Sequence, residues 1–267
     1  MYKNKTVGLA LGGGGACGFA HIGVLKALED QGIIPDYICG TSMGSIIGAL
    51  YSMGLTTEDM LYECKKLKFF KLFDINPLVI KNNFLISGKL VEKYLRNITR
   101  EKTFEQLKTK FSCMATDLVS GKEYEFTSGP VWLGVRASIS IPGLFKPVEY
   151  EDMMLVDGGV LNNVPTQPIE KYKPDIIIAC DVLNKYVMQQ KPSKIWEVFF
   201  YSFNLLQNRW ENAKLKKIKY KIAPDTTKFS ALTPSIKPLD ELYNEGYNSA
   251  QKVIKKIKRD IEKSHKE

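Results

Sequence analysis

The chain has only two histidines among its 267 residues, His21 and His265. Enzymes that take a proton from a serine or cysteine nucleophile most often use a histidine as the base. His21 shares a predicted helical face with Leu25 and Leu28, which is the pattern of a core residue. His265 lies in a charged terminal segment that is expected to fray. Neither is a convincing base, so a histidine-dependent hydrolase is disfavoured.

The cysteine content also limits what the protein can be. Five cysteines are scattered along the chain without forming a C-x-x-C pair, at positions 17, 39, 64, 113 and 180. An odd, dispersed set argues against a disulfide framework and against a zinc site, and it fits a reducing compartment. No run reaches the ~18 apolar residues that a membrane-spanning helix needs. We therefore predict a cytoplasmic protein with no bound metal.

The net charge of +9 at pH 7 is confined to one part of the chain. Residues 1–184 hold 20 basic and 20 acidic side chains, whereas residues 185–267 hold 18 basic and 9 acidic ones. A basic region of this kind favours an anionic partner, such as a membrane surface or nucleic acid. No recognisable nucleic-acid-binding module accompanies it. We therefore predict no nucleic-acid partner, and peripheral contact with an anionic membrane stays open. The sequence does not indicate an oligomeric state.

Strand-like and helix-like segments alternate in the first part of the chain. A β-prone run ends at Gly12, and apolar residues at helical spacing follow over 16–30, where Gly32 closes the helix. A second strand then leads into a helix predicted over 43–53. Such repetition predicts parallel strands joined by crossover helices, which makes the fold class α/β.

Further along, the pattern predicts an inserted cap, a hairpin and a helical extension. Residues 56–110 are lysine-rich and mostly helical, with breaks at Pro77 and Gly88, and are predicted to form the cap. The runs "KFSCMATD" and "KEYEF" predict a hairpin, and "MMLVD" and "DIIIACD" predict further strands. An aromatic helix over 194–210, a short strand near 217–222 and a terminal helix complete the chain.

A glycine-rich loop, "GGGGACG" over 12–18, follows the first strand. Residues 13–18 match G-x-G-x-x-G, but a dinucleotide site needs an acidic residue at the end of the next strand, which here ends in Cys39 and Gly40. A Walker loop needs Gly-Lys-Ser/Thr, which is absent. The two main alternatives are a tight strand-to-helix turn and an oxyanion hole built from backbone N–H groups.

The segment 40–44, Gly-Thr-Ser-Met-Gly, has the G-x-S-x-G form of a nucleophile elbow. It lies between a predicted strand and a predicted helix, and its two glycines remove side chains that would crowd a sharp turn. Ser42 is then the candidate nucleophile, and the N–H of Met43 would point at the same space as the glycine loop. Taken alone, the motif also fits an ordinary turn or helix cap.

Without a usable histidine, a carboxylate must take the serine proton directly. Asp157 ends a predicted strand and precedes Gly158 and Gly159, although Asp-Gly-Gly is also a common turn. An aspartate is a weak base at its ordinary pKa of ~3.9, so burial should raise that value. We expect kcat/KM to rise through one apparent pKa below ~6.5.

Together these segments resemble the patatin-like phospholipase family. The stretches similar to its motifs are, in order, "LALGGGGACGFAHIGVLKAL", "GTSMGS", "RASISIPGLFKPV" and "VDGGVLNNVP". The resemblance covers roughly residues 5–182, which would form the catalytic domain, with 183–267 as a basic helical extension packed on it. It implies a modified α/β-hydrolase fold, a three-layer sandwich with a mainly parallel central sheet between helices.

The resemblance also implies roles for individual residues. Ser42 would be the nucleophile and Asp157 the base of a Ser–Asp dyad that uses no histidine. Gly13, Gly14 and Gly15 would line the oxyanion hole. The family's chemistry implies neither a metal nor an organic cofactor, and it points to phospholipids or lysophospholipids as substrates.

Two functions from different classes follow from these observations. The first is a serine acyl hydrolase that acts on a lipid ester. The second is a non-hydrolytic lipid- or membrane-binding regulator that keeps the fold. The intact Ser42, Asp157 and glycine loop favour the hydrolase.

The aromatic segment near 194–210 has two interpretations. Its apolar side chains fall at helical spacing, at Ile195, Phe199, Phe203, Leu206 and Trp210. They could pack on the sheet, or they could dock on a bilayer interface with the help of the lysines that follow.

Cys17 stands in the glycine loop, where the family often has a basic residue. A thiol near a helix N-terminus can have a lowered pKa and react with alkylating reagents. The alternative is a small buried cysteine that packs and does not react.

Overall fold

The described residues of the computed structural model form an eight-stranded mixed sheet with helices around it. They comprise residues 5–66, 86–184, 191–192, 195–229, 231 and 238–264. The strands are β1 (Val7–Leu11), β2 (Tyr37–Thr41), β3 (Lys110–Asp117), β4 (Lys122–Phe126), β5 (Val148–Tyr150), β6 (Met153–Asp157), β7 (Ile176–Cys180) and β8 (Tyr220–Ile222).

Helices precede, connect and follow these strands. In the described part of the chain they are α1 (Ala20–Glu29), α2 (Met43–Ser52), α3 (Thr57–Lys66), α4 (Lys89–Ile98), α5 (Val131–Ser138), α6 (Thr166–Glu170), α7 (Ile195–Lys214) and α8 (Leu239–Ser264). Short 3-10 helices cover Gly15–Phe19, Phe104–Gln106, Gly158–Val160 and Leu215–Lys217. Within the described residues, no helix is both long and apolar enough to span a bilayer.

The centre of the sheet is parallel and its far end is antiparallel. The strand order is β5-β6-β3-β2-β1-β7-β8, and β4 also pairs with β3. The pairs β1–β2, β2–β3, β1–β7 and β7–β8 are parallel, while β4 and β6 run antiparallel to β3. This arrangement confirms the predicted α/β class. The sequence pattern missed β5 and α6 because three and five residues are too few to show a period.

Strand β3 brings the ends of β2 and β6 together along one of its edges. Its residues 113–117 pair with β4 throughout. A strand has two edges, so β2 and β6 must share the other edge of β3. The β2 pairing ends with Thr41 opposite Met114, and the β6 pairing ends with Asp157 opposite Ala115. Asp157 is therefore held one rung away from the end of the strand that leads into Ser42.

The central strands bury side chains on both faces, as their uniformly apolar sequences predict. In β1, Leu9 and Leu11 belong to a large apolar cluster that includes residues of α1, α2 and α8. Ala10, between them, belongs to a smaller cluster on the opposite face with Ile169 of α6. Alternate residues of a strand point to opposite faces, so the sheet is the middle layer between two helical layers.

The terminal helix α8 packs along α1, and glycines let the two backbones approach closely. A Cβ at Gly246 would collide with the carbonyl of Ala20, and a Cβ at Gly23 would collide with the carbonyl of Tyr243. On the side of α8 that faces the core, Leu239, Leu242, Ala250 and Ile257 are buried and Val253 is partly buried.

Two of the helices fall in the predicted cap over 56–110. Helix α3 packs against α1 and α2, and α4 packs against α5. Gly88, a predicted break, precedes α4 with a φ of 79°. Pro77, the other predicted break, lies outside the described residues.

Candidate active site

The glycine loop and the candidate nucleophile leave the sheet side by side. Strands β1 and β2 are parallel neighbours, with Leu11 opposite Gly40. The chain therefore passes into Gly12 at the end of one strand and into Ser42 at the end of the other, at the same edge of the sheet. Ligands of open α/β sheets bind in the crevice at this edge.

Ser42 occupies a sharp turn that ordinary L-residues avoid. Its φ of 51° and ψ of −123° place it in a strained region of the backbone map. A Cβ at Gly40 would collide with the carbonyl of Gly44, and a Cβ at Gly44 would collide with the carbonyl of Leu11. The turn thus requires both glycines of the motif, and it leaves Ser42 only 8% exposed.

The side chains of Ser42 and Asp157 line the same cavity. Hydrogen bonding from the Ser42 side chain lowers the pKa of the Asp157 carboxylate. The same carboxylate accepts a 2.8 Å hydrogen bond from the N–H of Gly159, and the Asp157 N–H donates to the Ser140 carbonyl at 2.9 Å. The N–H of Gly159 therefore helps to fix the orientation of the Asp157 carboxylate.

Burial dominates the acidity of Asp157, which is only 3% exposed. Desolvation raises the pKa of Asp157 to about 7, and the hydrogen bonds from Ser42 and Gly159 offset part of that rise. The carboxyl group consequently changes its protonation state near neutral pH. A group with such a pKa can both accept and return a proton under those conditions.

The glycine loop presents backbone N–H groups beside Ser42, but its members differ. The N–H of Gly13 donates to the Asn163 carbonyl at 3.1 Å, so it is already occupied. Among the described residues, the N–H groups of Gly14 and Gly15 meet no acceptor. A Cβ at Gly13 would lie 3.0 Å from the Ser42 Cβ, so Gly13 matters for close approach rather than as a donor.

Met43 begins helix α2 directly after the serine. The first N–H groups of a helix have no partner within it, so the Met43 N–H is available. Gly13, Gly14, Gly15, Ser42 and Asp157 line a common cavity, whereas Met43 is not among the lining residues. Five of the six predicted site residues therefore line one cavity, and Met43 lies outside its lining.

His21 does not belong to this group. Its Nε2 lies 2.7 Å from the Gly12 carbonyl, which can only accept, and its Nδ1 lies 3.2 Å from the Cys180 sulfur. Nε2 must therefore carry the hydrogen, and Nδ1 accepts from the thiol. Complete burial lowers the pKa of His21 to about 4, so the ring stays neutral at working pH. The prediction of a satisfied core histidine is confirmed.

We expect His21→Gln to retain most of its activity on a soluble ester. The glutamine amide can replace the Nε2–H donation to the Gly12 carbonyl, and a weakened hydrogen bond costs about 1 kcal/mol. The kcat/KM profile against pH should keep its midpoint. Loss of turnover with an unchanged circular dichroism spectrum would instead make His21 part of the proton transfer.

Cys17 is fully buried, and this decides between its two interpretations. Desolvation raises the pKa of the Cys17 thiol to about 12, although a hydrogen bond with Thr226 opposes the rise. The expected effect of the helix N-terminus is thus outweighed by burial. Burial therefore favours the second interpretation, a packed cysteine that does not react in the native protein.

We expect iodoacetamide to modify none of the five cysteines in the native protein, because all five are buried. Mass spectrometry should show no adduct before denaturation and five adducts after denaturation in guanidinium chloride. Selective native labelling of Cys17 would contradict the burial of this loop.

Several polar residues support the site without having been predicted. The Ser138 hydroxyl accepts a 2.9 Å hydrogen bond from the Ser42 N–H, which helps to hold the strained turn. From α7, the Gln207 amide donates to the Gly159 carbonyl, and Glu211 accepts from the Asn163 N–H at 2.9 Å. Gln207 and Glu211 lie four residues apart, on one face of a helix that is rich in aromatic side chains. That helical spacing of polar residues was the signal that could have identified them.

Helix α7 covers one side of the site. The half-open space beside Ser42 measures only about 20 Å³, which is room for about one water molecule. Its walls away from the dyad are formed by Ile141, Asn163, Leu183, Phe200, Phe203, Asn204 and Gln207. Four of these side chains come from α7, so this helix determines what can reach the serine.

Comparison with known proteins agrees with these motifs. Residues 9–169 match the family model described as patatin-like phospholipase. A patatin-like phospholipase domain-containing protein of Caenorhabditis elegans is 36% identical over 192 residues, covering 68% of this chain and 14% of that protein. Lysophospholipase NTE1 of Meyerozyma guilliermondii is 32% identical over 215 residues, covering 79% and 15%. The chain thus spans a small part of these relatives.

Solved structures with low sequence identity share the fold. VipD from Legionella pneumophila superposes with a TM-score of 0.60 at 14% identity, covering 94% of this chain and 67% of that one. ExoU in its complex with SpcU from Pseudomonas aeruginosa gives 0.53 at 18% identity, covering 94% and 51%. The match of residues 9–169, more than half of the sequence, shows that the chain belongs to the patatin-like phospholipase family.

Proposed function

We propose that the protein is a serine acyl hydrolase that cleaves carboxylic esters of lipids through a Ser–Asp dyad. The observation that carries this proposal is the convergence of Ser42, the buried carboxylate of Asp157 and the glycine loop on one cavity. Family membership supports the same reaction class. A Ser–Asp dyad needs no histidine, which agrees with the contact of His21 Nε2 with the Gly12 carbonyl.

The first half of the reaction forms an acyl-enzyme. The Ser42 oxygen attacks the ester carbonyl carbon while Asp157 accepts the hydroxyl proton. The carbonyl oxygen becomes negative, and the N–H groups of Gly14, Gly15 and Met43 stabilise it. When the tetrahedral intermediate collapses, the bond to the leaving alkoxide breaks and Asp157 returns the proton to it.

The second half repeats these steps with water. Asp157 takes a proton from a water molecule, whose oxygen attacks the acyl carbon attached to Ser42. The Ser42 oxygen leaves and regains the proton from Asp157. Both side chains thereby return to their starting state, and the carboxylic acid is released. Electrons and protons balance through the dyad alone.

We propose a phospholipid or lysophospholipid as the substrate. One relative is named a lysophospholipase, and its matched segment covers most of this chain but only 15% of that protein. Apolar side chains of Ile141, Leu183, Phe200 and Phe203 surround Ser42, and such side chains are the kind that contact an acyl chain.

A lipid extract incubated with the purified protein tests the proposal. Mass spectrometry should show free fatty acid rising as one or more glycerolipid classes fall, and a chromogenic short-chain ester should be hydrolysed as well. If neither substrate is consumed by folded protein, the non-hydrolytic regulator becomes the better description.

We also propose that the protein is cytoplasmic and that residues 5–182 form its catalytic domain. We propose that residues 183–267 form an extension packed on that domain. Through this extension the protein would contact anionic membranes peripherally. Lys216 and Lys217 are exposed beside α7. Lys214, in contrast, turns inward to Asn162 and Glu211, so it is unsuited to this contact.

Binding to phosphatidylglycerol vesicles should weaken steeply between low and physiological salt, because screening shortens the reach of these lysines to ~8 Å. Charge reversal at Lys216 and Lys217 should weaken binding further, with hydrolysis of a soluble ester as the control. Binding that ignores both changes would contradict the contact.

A further inference from the structure

Helix α7 has its polar side turned toward the protein. The buried stripe comprises Phe200, Asn204, Gln207 and Glu211, each less than 10% exposed, at helical spacing. Three of these four residues are polar. A surface helix normally buries its apolar stripe and exposes its polar one, so α7 is inverted.

The outward side of α7 is mainly apolar, although exposed Ser202 and Arg209 also lie on it. Leu205, Leu206 and Trp210 are 68%, 61% and 75% exposed, and Val198 and Phe199 are about half exposed. We call these five residues the outer apolar face. Scattered apolar residues are normal on a protein surface, but a contiguous group on one helix marks an interaction site.

The inward contacts of α7 hold it over the dyad and are imperfect. Gln207 donates to the Gly159 carbonyl, Glu211 accepts from the Asn163 N–H, and Lys214 donates to the Asn162 side chain. One Glu211 carboxylate oxygen is buried without a partner among the described residues. The other Glu211 oxygen still ties α7 to the loop at Asn163, so this inward contact is attractive but incomplete.

We propose that α7 is a displaceable cover whose outer apolar face docks on an anionic lipid surface, and that docking uncovers Ser42. This inference rests on the proposed hydrolysis of a lipid ester. A ligand pocket for such a molecule measures ~300–1,000 Å³, far more than the space present, so the site must widen by movement of α7 before a lipid ester fits.

The chemistry of the helix indicates the occupant of the outer apolar face. Trp210 combines a large apolar ring with an N–H, as interfacial tryptophans do. Arg209 is exposed one turn from Leu205 and Leu206, and the exposed Lys216 and Lys217 follow the helix. Basic side chains beside an apolar face match the phosphate and acyl layers of an anionic bilayer.

The rate at which a soluble fluorophosphonate labels Ser42 tests the cover. Wild-type protein should react about tenfold faster with vesicles of phosphatidylcholine and phosphatidylglycerol, as expected if about a tenth of molecules are open without them. Leu206→Ser with Trp210→Ser should lose this acceleration. Leu118→Ser with Val119→Ser is the matched control, because these residues are 50% and 70% exposed in the β3–β4 turn.

Glu211→Ala should label faster at Ser42 than wild type does. Misfolding would lower the labelling rate, so it cannot produce this result. The substitution removes an inward contact, so its labelling should be fast without vesicles and little changed by them. Equal rates with and without vesicles in wild type, together with an unchanged rate in Glu211→Ala, would overturn the cover.

Fluorescence of Trp210 tests docking independently of the chemistry. In a Trp132→Phe/Trp196→Phe background, brominated phosphatidylglycerol should quench the remaining tryptophan. If Ser42 is never labelled but quenching occurs, the nucleophile assignment fails and docking stands. Absence of quenching overturns docking, and a dimer that Leu206→Ser with Trp210→Ser dissolves would assign the face to a second copy of the chain.

Discussion

Ser42→Ala should reduce ester hydrolysis to near the background rate, a loss of about 10³-fold or more, because no covalent intermediate can form. The fold should persist, since the hydroxyl is only one of several groups that hold the turn. The Ser42 N–H still donates to Ser138, and Gly40 and Gly44 still permit the backbone. Initial rates on a chromogenic ester, with circular dichroism of the same sample, measure both effects.

Ser52→Ala is a matched control for that variant. Ser52 is a buried serine at the end of α2, the helix that follows Ser42, and its hydroxyl has no partner among the described residues. Its removal should therefore leave turnover unchanged. The double variant Ser42→Ala/Asp157→Asn should be little worse than either single variant, because both residues act in one unit. Near-normal turnover of Ser42→Ala would refute the nucleophile.

Asp157→Asn should remove activity and at the same time stabilise the protein above neutral pH. The folded pKa is about 7, against ~3.9 in the unfolded chain. Between these values the folded state holds a proton that the unfolded state has lost. Stability therefore falls as pH rises from about 4 toward 7 and levels off above it.

The ionised, buried carboxylate costs up to ~4 kcal/mol at pH 8 on this basis, which asparagine avoids. The melting temperature of Asp157→Asn should exceed that of wild type by several degrees at pH 8, and the difference should shrink at pH 5. An equal difference at both pH values would mean that Asp157 is not titrating in the folded protein.

The same pKa sets the wild-type rate profile. Asp157 must be ionised to accept the serine proton, so kcat/KM should rise to a plateau through an apparent pKa near 7. Sequence reasoning placed this midpoint below ~6.5, because it could anticipate burial but not its extent.

The convergence of Ser42 and Asp157 on one cavity could be predicted because local motifs carry it. Glycines at 40 and 44 identify a sharp turn that a Cβ at either position would block, and a Cβ at Gly158 would likewise collide with the carbonyl of Met114. The identity of the oxyanion donors could not be predicted in the same way. The N–H of Gly13 is occupied by the Asn163 carbonyl, and that contact depends on a distant segment of the chain.

Helix α7 shows that hydrophobic periodicity predicts a helix without predicting which of its sides is buried. Its apolar spacing predicted a helix correctly, but the same spacing fits packing on the sheet and exposure to solvent equally well. Phe199, Leu206 and Trp210 face outward because the polar stripe at Gln207 and Glu211 has specific partners in the loop after Asp157. A helical period identifies a face without saying which layer covers it.

The shared edge of β3 makes catalysis a late event in folding. Ser42 and Asp157 are distant in sequence, and they meet only when β2 and β6 have both paired with β3 in register. Such non-local pairing is slow compared with helix formation. A slip of β6 by one residue would turn Asp157 to the opposite face of the sheet. During refolding, activity should therefore return after helical signal does, and it should report the register of β6.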